Sequence, residues 1–113
     1  MSFSAAHRIE GHPRCGRIHG HNYRVCISIR EDTPLEVDLD VLENWLKRNV
    51  FERFDHQYLN KLLGDGGEKE TVTSEELAGI IAREFEKFMP GRLISVEVCE
   101  TDNLCVQLRL ESR

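Results

Sequence analysis

The chain has 113 residues, enough for one domain with a single modest core. A formal net charge of −5 with no long run of Lys and Arg argues against a nucleic-acid partner. No apolar stretch is long enough to span a bilayer and the N-terminus lacks the pattern of a signal peptide, so the expected location is the cytoplasm.

Phe3 and Ala5 suggest a short first strand. From His21 to Arg30 the residues alternate: Tyr23, Val25, Ile27 and Ile29 share one face, and Arg24, Ser28 and Arg30 the other. That pattern predicts a half-buried antiparallel strand, and the turn formers at 31–34 close it. Between Leu39 and Phe54 the apolar residues Leu39, Leu42, Trp45, Leu46 and Val50 recur at mostly helical steps, with Asp40 and Glu43 resembling a capping box. The Gly-rich segment 64–67 reads as a loop. A second helix is expected from Ser74 to Met89, capped by Thr73 with Glu76, striped by Leu77, Ile81, Phe85 and Phe88, and ended by Pro90-Gly91. Ile94, Val96 and Val98 then share one face, as do Leu104, Val106, Leu108 and Leu110, with a hairpin turn at Asp102-Asn103. The order ββααββ predicts one α+β domain over 1–113, with two helices on one face of an antiparallel sheet. Two open sheet edges would favour assembly with further copies.

Three histidines have the placement of metal ligands. His19 and His21 are two apart on a strand, so both imidazoles point to one face. His7 ends the neighbouring strand and supplies a third nitrogen. Three imidazoles with one position left open is the pattern of catalytic zinc. Taken singly, each histidine reads as a surface or core residue satisfied by hydrogen bonds. His12 reads as a loop residue.

Cys15 lies among turn formers and cations, with Arg14 and Arg17 favouring its thiolate. Cys26, Cys99 and Cys105 read as free thiols serving as buried or half-buried filler. Asp55-His56 could orient a base, but read alone it is a solvated pair at a helix end. Glu100 projects from the inward face at a strand's rim, where two parallel N–H donors of a pterin or guanine edge would satisfy it. Read alone, it is a salt-bridge partner of an Arg or Lys.

The segments Phe3-Ser4-Ala5-Ala6-His7 and Cys15-Gly16-Arg17-Ile18-His19-Gly20-His21-Asn22-Tyr23 resemble the 6-pyruvoyl- and 6-carboxy-tetrahydropterin synthase family. Matches follow in order at 37–39, 54–60, 73–78 and 100–103, so the resemblance spans nearly the whole chain. It implies the tunnelling fold, assembled from trimers into a homohexameric barrel. It implies zinc at His7, His19 and His21, and Cys15 as general base with Asp55 and His56 acting across a subunit contact. It implies Glu100 as the anchor of the pterin ring, with Thr73 and Ser74 nearby.

Three residues separate Cys15 from His19. That spacing is similar to the 6-carboxy branch, which converts 7,8-dihydroneopterin triphosphate to 6-carboxy-5,6,7,8-tetrahydropterin, acetaldehyde and triphosphate for 7-deazaguanine (queuosine or archaeosine) synthesis. The alternatives are 6-pyruvoyl-tetrahydropterin synthesis, without carbon–carbon cleavage, and a non-catalytic pterin- or zinc-binding module. Arg14, Arg17 and Arg24 are candidate phosphate contacts or plain solvated cations. Two departures from the family pattern are the short lead-in before Phe3 and Phe54 in place of the commoner Leu.

Overall fold

The computed structural model describes residues 1–13 and 16–110. Four strands, β1 (Ser2–His7), β2 (His19–Ile29), β3 (Leu93–Cys99) and β4 (Cys105–Arg109), form one antiparallel sheet in the order β1-β2-β3-β4. The α+β architecture expected from the sequence is the one observed. The helices lie between β2 and β3 in the chain: α1 (Leu39–Leu46), a π-helical turn (Lys47–Phe51), α2 (Glu52–Phe54), α3 (Leu59–Leu62) and α4 (Ser74–Phe88). They cover one sheet face, where Phe3, Tyr23, Val25, Val96 and Val98 meet Leu77, Ile81 and Phe85 in the core. No helix among the described residues is long and apolar enough to cross a membrane.

The first helical segment departs from the expected regular helix. Its cap is Asp38, whose carboxylate accepts from the Asp40 N–H at 2.9 Å, not the pair Asp40 and Glu43. Leu39 is 70% exposed, since it is the first residue after that cap and precedes the buried stripe of Leu42 and Trp45. Val50, which is buried, follows Trp45 by five positions, too many for one regular turn. The π-turn widens the helix there and returns Val50 and Phe54 to the core side. The Asn49 amide donates to the Trp45 carbonyl at 3.0 Å inside this wider turn. By contrast, α4 starts where expected, with Thr73 Oγ1 accepting from the Glu76 N–H at 3.1 Å. Phe88 is only partly covered, stacking on Trp45 rather than entering the core.

Two strand readings also change. Ile94 is exposed while Ser95 is buried, because the β2–β3 register slips between Ser28 and Ile29 and breaks the alternation at that end. Leu104 lies in the turn, not on the buried side of β4, and is 64% exposed. The open β1 edge is also partly closed: Ala6 N–H donates to the Gln57 carbonyl at 2.9 Å and Ala6 bridges Tyr58.

The thiols differ most from expectation. Cys99 and Cys105 are register partners across β3 and β4 and form a disulfide, because the intervening turn brings them directly opposite each other. Cys26 is a free thiol and exposed, since alternation places it on the face away from the helices. We expect the tryptic peptide 93–109 to be lighter by two hydrogens before reduction than after it. Cys105→Ser should lower stability by roughly 2 kcal/mol, read by denaturant titration, as expected for a short closed loop.

Candidate active site

The β1–β2 register sets His7 opposite His19 and Ala5 opposite His21, so the three imidazoles converge on the helix-facing side of the sheet. Their ring centroids are 4.5 Å (His7–His19), 5.1 Å (His7–His21) and 4.8 Å (His19–His21) apart. His7 is fully buried; the other two are half-buried. Nδ1 of His7 is 2.8 Å from the Val72 carbonyl, and Nδ1 of His19 is 2.7 Å from the Arg17 carbonyl. A carbonyl only accepts, so each Nδ1 carries the hydrogen and each Nε2 presents a lone pair.

Burial pushes the pKa of both His7 and His21 below the usual imidazole value, outweighing the nearby Glu100 charge and, for His7, the Val72 carbonyl. Neutral imidazoles are the ligand form. Among the described residues, Nε2 of His7 and of His21 are buried without a hydrogen-bond partner, which costs about 1–3 kcal/mol apiece if nothing fills the space between them. The set has the donor chemistry of a metal centre, with backbone carbonyls fixing two of its rings, and the three histidines could together hold one ion.

Asn60 holds the end of β1 that carries His7. It is completely buried; its Oδ1 accepts from the Arg8 N–H at 2.9 Å, and its Nδ2 donates to the carbonyls of Arg8 at 3.1 Å and Lys69 at 2.9 Å. The Val72 N–H donates to the Arg8 carbonyl at 3.1 Å, and the Val72 carbonyl accepts from the His7 Nδ1–H. Tyr23 stands edge-on to both His7 and His21, with centroids at 5.7 and 5.5 Å. Neither residue stands out as functional in the sequence; the one signal is a polar Asn directly after the core residue Leu59. Asn60→Leu should cost about 2–4 kcal/mol in denaturant titration, since it strands the Arg8 N–H and the Lys69 carbonyl and leaves the Arg8 carbonyl with the Val72 N–H alone.

Glu100 follows β3, with its N–H donating to the Leu104 carbonyl at 3.0 Å across the turn. It is no salt-bridge partner of Arg or Lys among the described residues. Its Oε1 accepts from the Ser74 hydroxyl at 2.8 Å, and its two oxygens lie 3.9 Å from His7 Nε2 and 3.7 Å from His21 Nε2. Thr73, Ser74 and Glu100 line a cleft of about 320 Å³ together with Ile9, Leu104 and Val106. That is the low end of the range that takes a small ligand.

Asp55 and His56 touch within one chain at the end of the helix. The helix ends at Phe54; Asp55 is extended and His56 left-handed at φ 58°. Their Oδ2 and Nδ1 are 2.7 Å apart. The Ser4 N–H donates to Asp55 Oδ1 at 2.9 Å and, with His56, holds the carboxyl below its usual range. The His56 side chain is 82% exposed and lines a second cleft of about 510 Å³, which His21 also lines. Cys15 and Arg14 lie outside the described residues. Arg24 lies on the opposite sheet face from the histidines, its guanidinium 3.6 Å from Cys99 Sγ.

Comparison with known proteins gives this geometry a context. The sequence profile of the 6-pyruvoyl tetrahydropterin synthase family matches residues 1–111, and the chain belongs to that family. It is 34% identical over 112 residues to an Archaeoglobus fulgidus protein bearing the provisional name 6-carboxy-5,6,7,8-tetrahydropterin synthase, covering 96% of this chain and 90% of that one. It is 28% identical to the human 6-pyruvoyl tetrahydrobiopterin synthase, covering 91% and 83% respectively. Among solved structures, Caenorhabditis elegans 6-pyruvoyl tetrahydropterin synthase superposes with a TM-score of 0.80 at 26% identity, over 98% of this chain and 91% of that one.

Proposed function

We propose that this chain is a zinc-dependent lyase converting 7,8-dihydroneopterin triphosphate and water to 6-carboxy-5,6,7,8-tetrahydropterin, acetaldehyde and triphosphate. The observation that carries the reading is the cluster of three imidazoles, two of them with buried Nε2 atoms unpartnered among the described residues, against the carboxylate of a ligand-sized cleft. The 6-carboxy branch is favoured by the three-residue spacing between Cys15 and His19 and by the likeness to the Archaeoglobus protein. The 6-pyruvoyl reaction is the second reading, favoured by the names of the human and nematode relatives.

His7, His19 and His21 would hold the zinc, which supplies Lewis acidity toward the substrate's side-chain hydroxyls. Glu100 accepts the two N–H donors of the pterin amino edge, and Thr73 and Ser74 flank the ring. The Cys15 thiolate removes the carbon-bound proton beside the ring. Asp55 orients His56 through the Nδ1 contact and keeps it ready to exchange that proton, as paired carboxylate and imidazole do elsewhere. The exposure of His56 suits action on the site of a neighbouring copy. A homohexamer built from trimers would provide that neighbour, its barrel lined by the polar sheet face carrying Asn22, Arg24, Glu97 and Gln107.

Zinc-loaded protein incubated with dihydroneopterin triphosphate should yield 6-carboxy-tetrahydropterin and acetaldehyde by mass analysis. 6-Pyruvoyl-tetrahydropterin instead would move the chain to the other branch. Binding of pterin without triphosphate release would favour a non-catalytic module. Cys15→Ala should lower turnover by about 10²–10⁴-fold, the usual contribution of a positioned base, while zinc content stays unchanged.

A further inference from the structure

The carboxylate of Glu100 takes a hydrogen bond from the Ser74 hydroxyl on Oε1, and it also faces the histidines. Its oxygens are 3.9 and 3.7 Å from the Nε2 atoms of His7 and His21, too far for hydrogen bonds. The Val72 carbonyl holds the His7 hydrogen on Nδ1, so the Nε2 lone pair faces the carboxylate with no proton between them. Two electron-rich atoms facing each other in a half-buried space repel, unless a cation lies between. Ligand atoms around a tetrahedral zinc-type ion stand roughly 3.3–3.6 Å apart, given bonds of about 2.0–2.2 Å. Each Glu100 oxygen lies a few tenths of an ångström beyond that spacing from one imidazole, Oε1 from His7 and Oε2 from His21, so a small shift of the carboxylate would bring it to the ion held by the three histidines.

Three features hold the side chain there. The Ser74 hydroxyl, buried at the first turn of α4, donates to Oε1 at 2.8 Å and leaves Oε2 free. The turn that follows is closed by Glu100 N–H to the Leu104 carbonyl and by two N–H donors onto Thr101 Oγ1. The disulfide between Cys99 and Cys105 joins the two strands at the base of the same turn.

We infer that Glu100 is the fourth ligand of the ion in the substrate-free protein, with Ser74 as its positioning residue. The inference rests on the three-histidine metal reading and adds to it a ligand exchange. When a pterin enters the cleft, the carboxylate leaves the ion for the ring's N–H donors, and the vacated position opens to the substrate hydroxyls. One group then links occupancy of the cleft to exposure of the metal.

The test uses the full chain loaded with Co(II), whose visible spectrum reports ligand number and type. The wild type should bind one Co(II) with an intense four-coordinate spectrum. Glu100→Gln should bind it at least about tenfold more weakly with an altered spectrum, and Ser74→Ala should shift both in the same direction by less. Glu100→Asp, which keeps the charge, guards against a loss caused by misfolding and should stay nearer to the wild type. Biopterin added to the wild type should move its spectrum toward that of Glu100→Gln. One Co(II) per chain, with spectrum and affinity unchanged in Glu100→Gln, would overturn this inference alone. No stoichiometric uptake by the wild type would overturn the metal reading and this inference with it.

Discussion

The pairing of β1 with β2 in a single register is the constraint on which the site depends. His7 stands opposite His19, and His21 lies one pleat further along β2 on the same face. A slip of one residue would turn the His7 side chain to the other face of the sheet and separate the three nitrogens. The register is held from both sides. Phe3 stacks on Tyr23 at 5.2 Å in the core, and the Asp55–Tyr58 segment fastens the outer edge of β1 through Ser4 and Ala6. Asn60 then ties the end of β1 to the loop that carries Val72, whose carbonyl sets the His7 tautomer.

This arrangement keeps polar atoms inside the domain at a cost. Desolvation drives His7 and His21 toward their neutral form, and their inward nitrogens find no donor among the described residues. Such a pocket is poorly explained as stable packing, because an apolar residue would fill the space with less penalty. It is well explained as a site whose missing partner is a cation. The proposed acid–base pair lies elsewhere: Asp55 and His56 sit at the outer edge of β1, with the imidazole turned to solvent.

Much of the fold and most of the candidate site were legible in the sequence, because they follow local periodicity. His19 and His21 share a face by simple alternation, and Glu100 extends the inward row of Val96 and Val98. Thr73 and Glu76 announce the start of α4 in the chemistry of one turn. What escaped depends on distant or irregular geometry. The π-turn around Val50 adds a residue that no regular helical period contains, and the slip at Ser28 turns Ile94 outward against its own pattern. The Cys99–Cys105 bond depends on where a turn places two strands, which spacing alone leaves open. The contact of Asp55 with His56 needed the helix to stop at Phe54 and His56 to adopt a positive φ. Asn60 looks like an ordinary loop residue until its partners, fifty-two residues away at Arg8, are known.

The central claim is that the converging ring nitrogens of His7, His19 and His21 are the ligands of one metal ion. It is tested most directly by equilibrium dialysis of the purified chain against buffered zinc, with metal and protein quantified together, beside the His7→Ala variant. The account predicts one zinc per chain, a higher melting temperature on loading, and loss of stoichiometric zinc in His7→Ala. Absence of zinc from a correctly folded wild-type chain, or equal binding by His7→Ala, would contradict it.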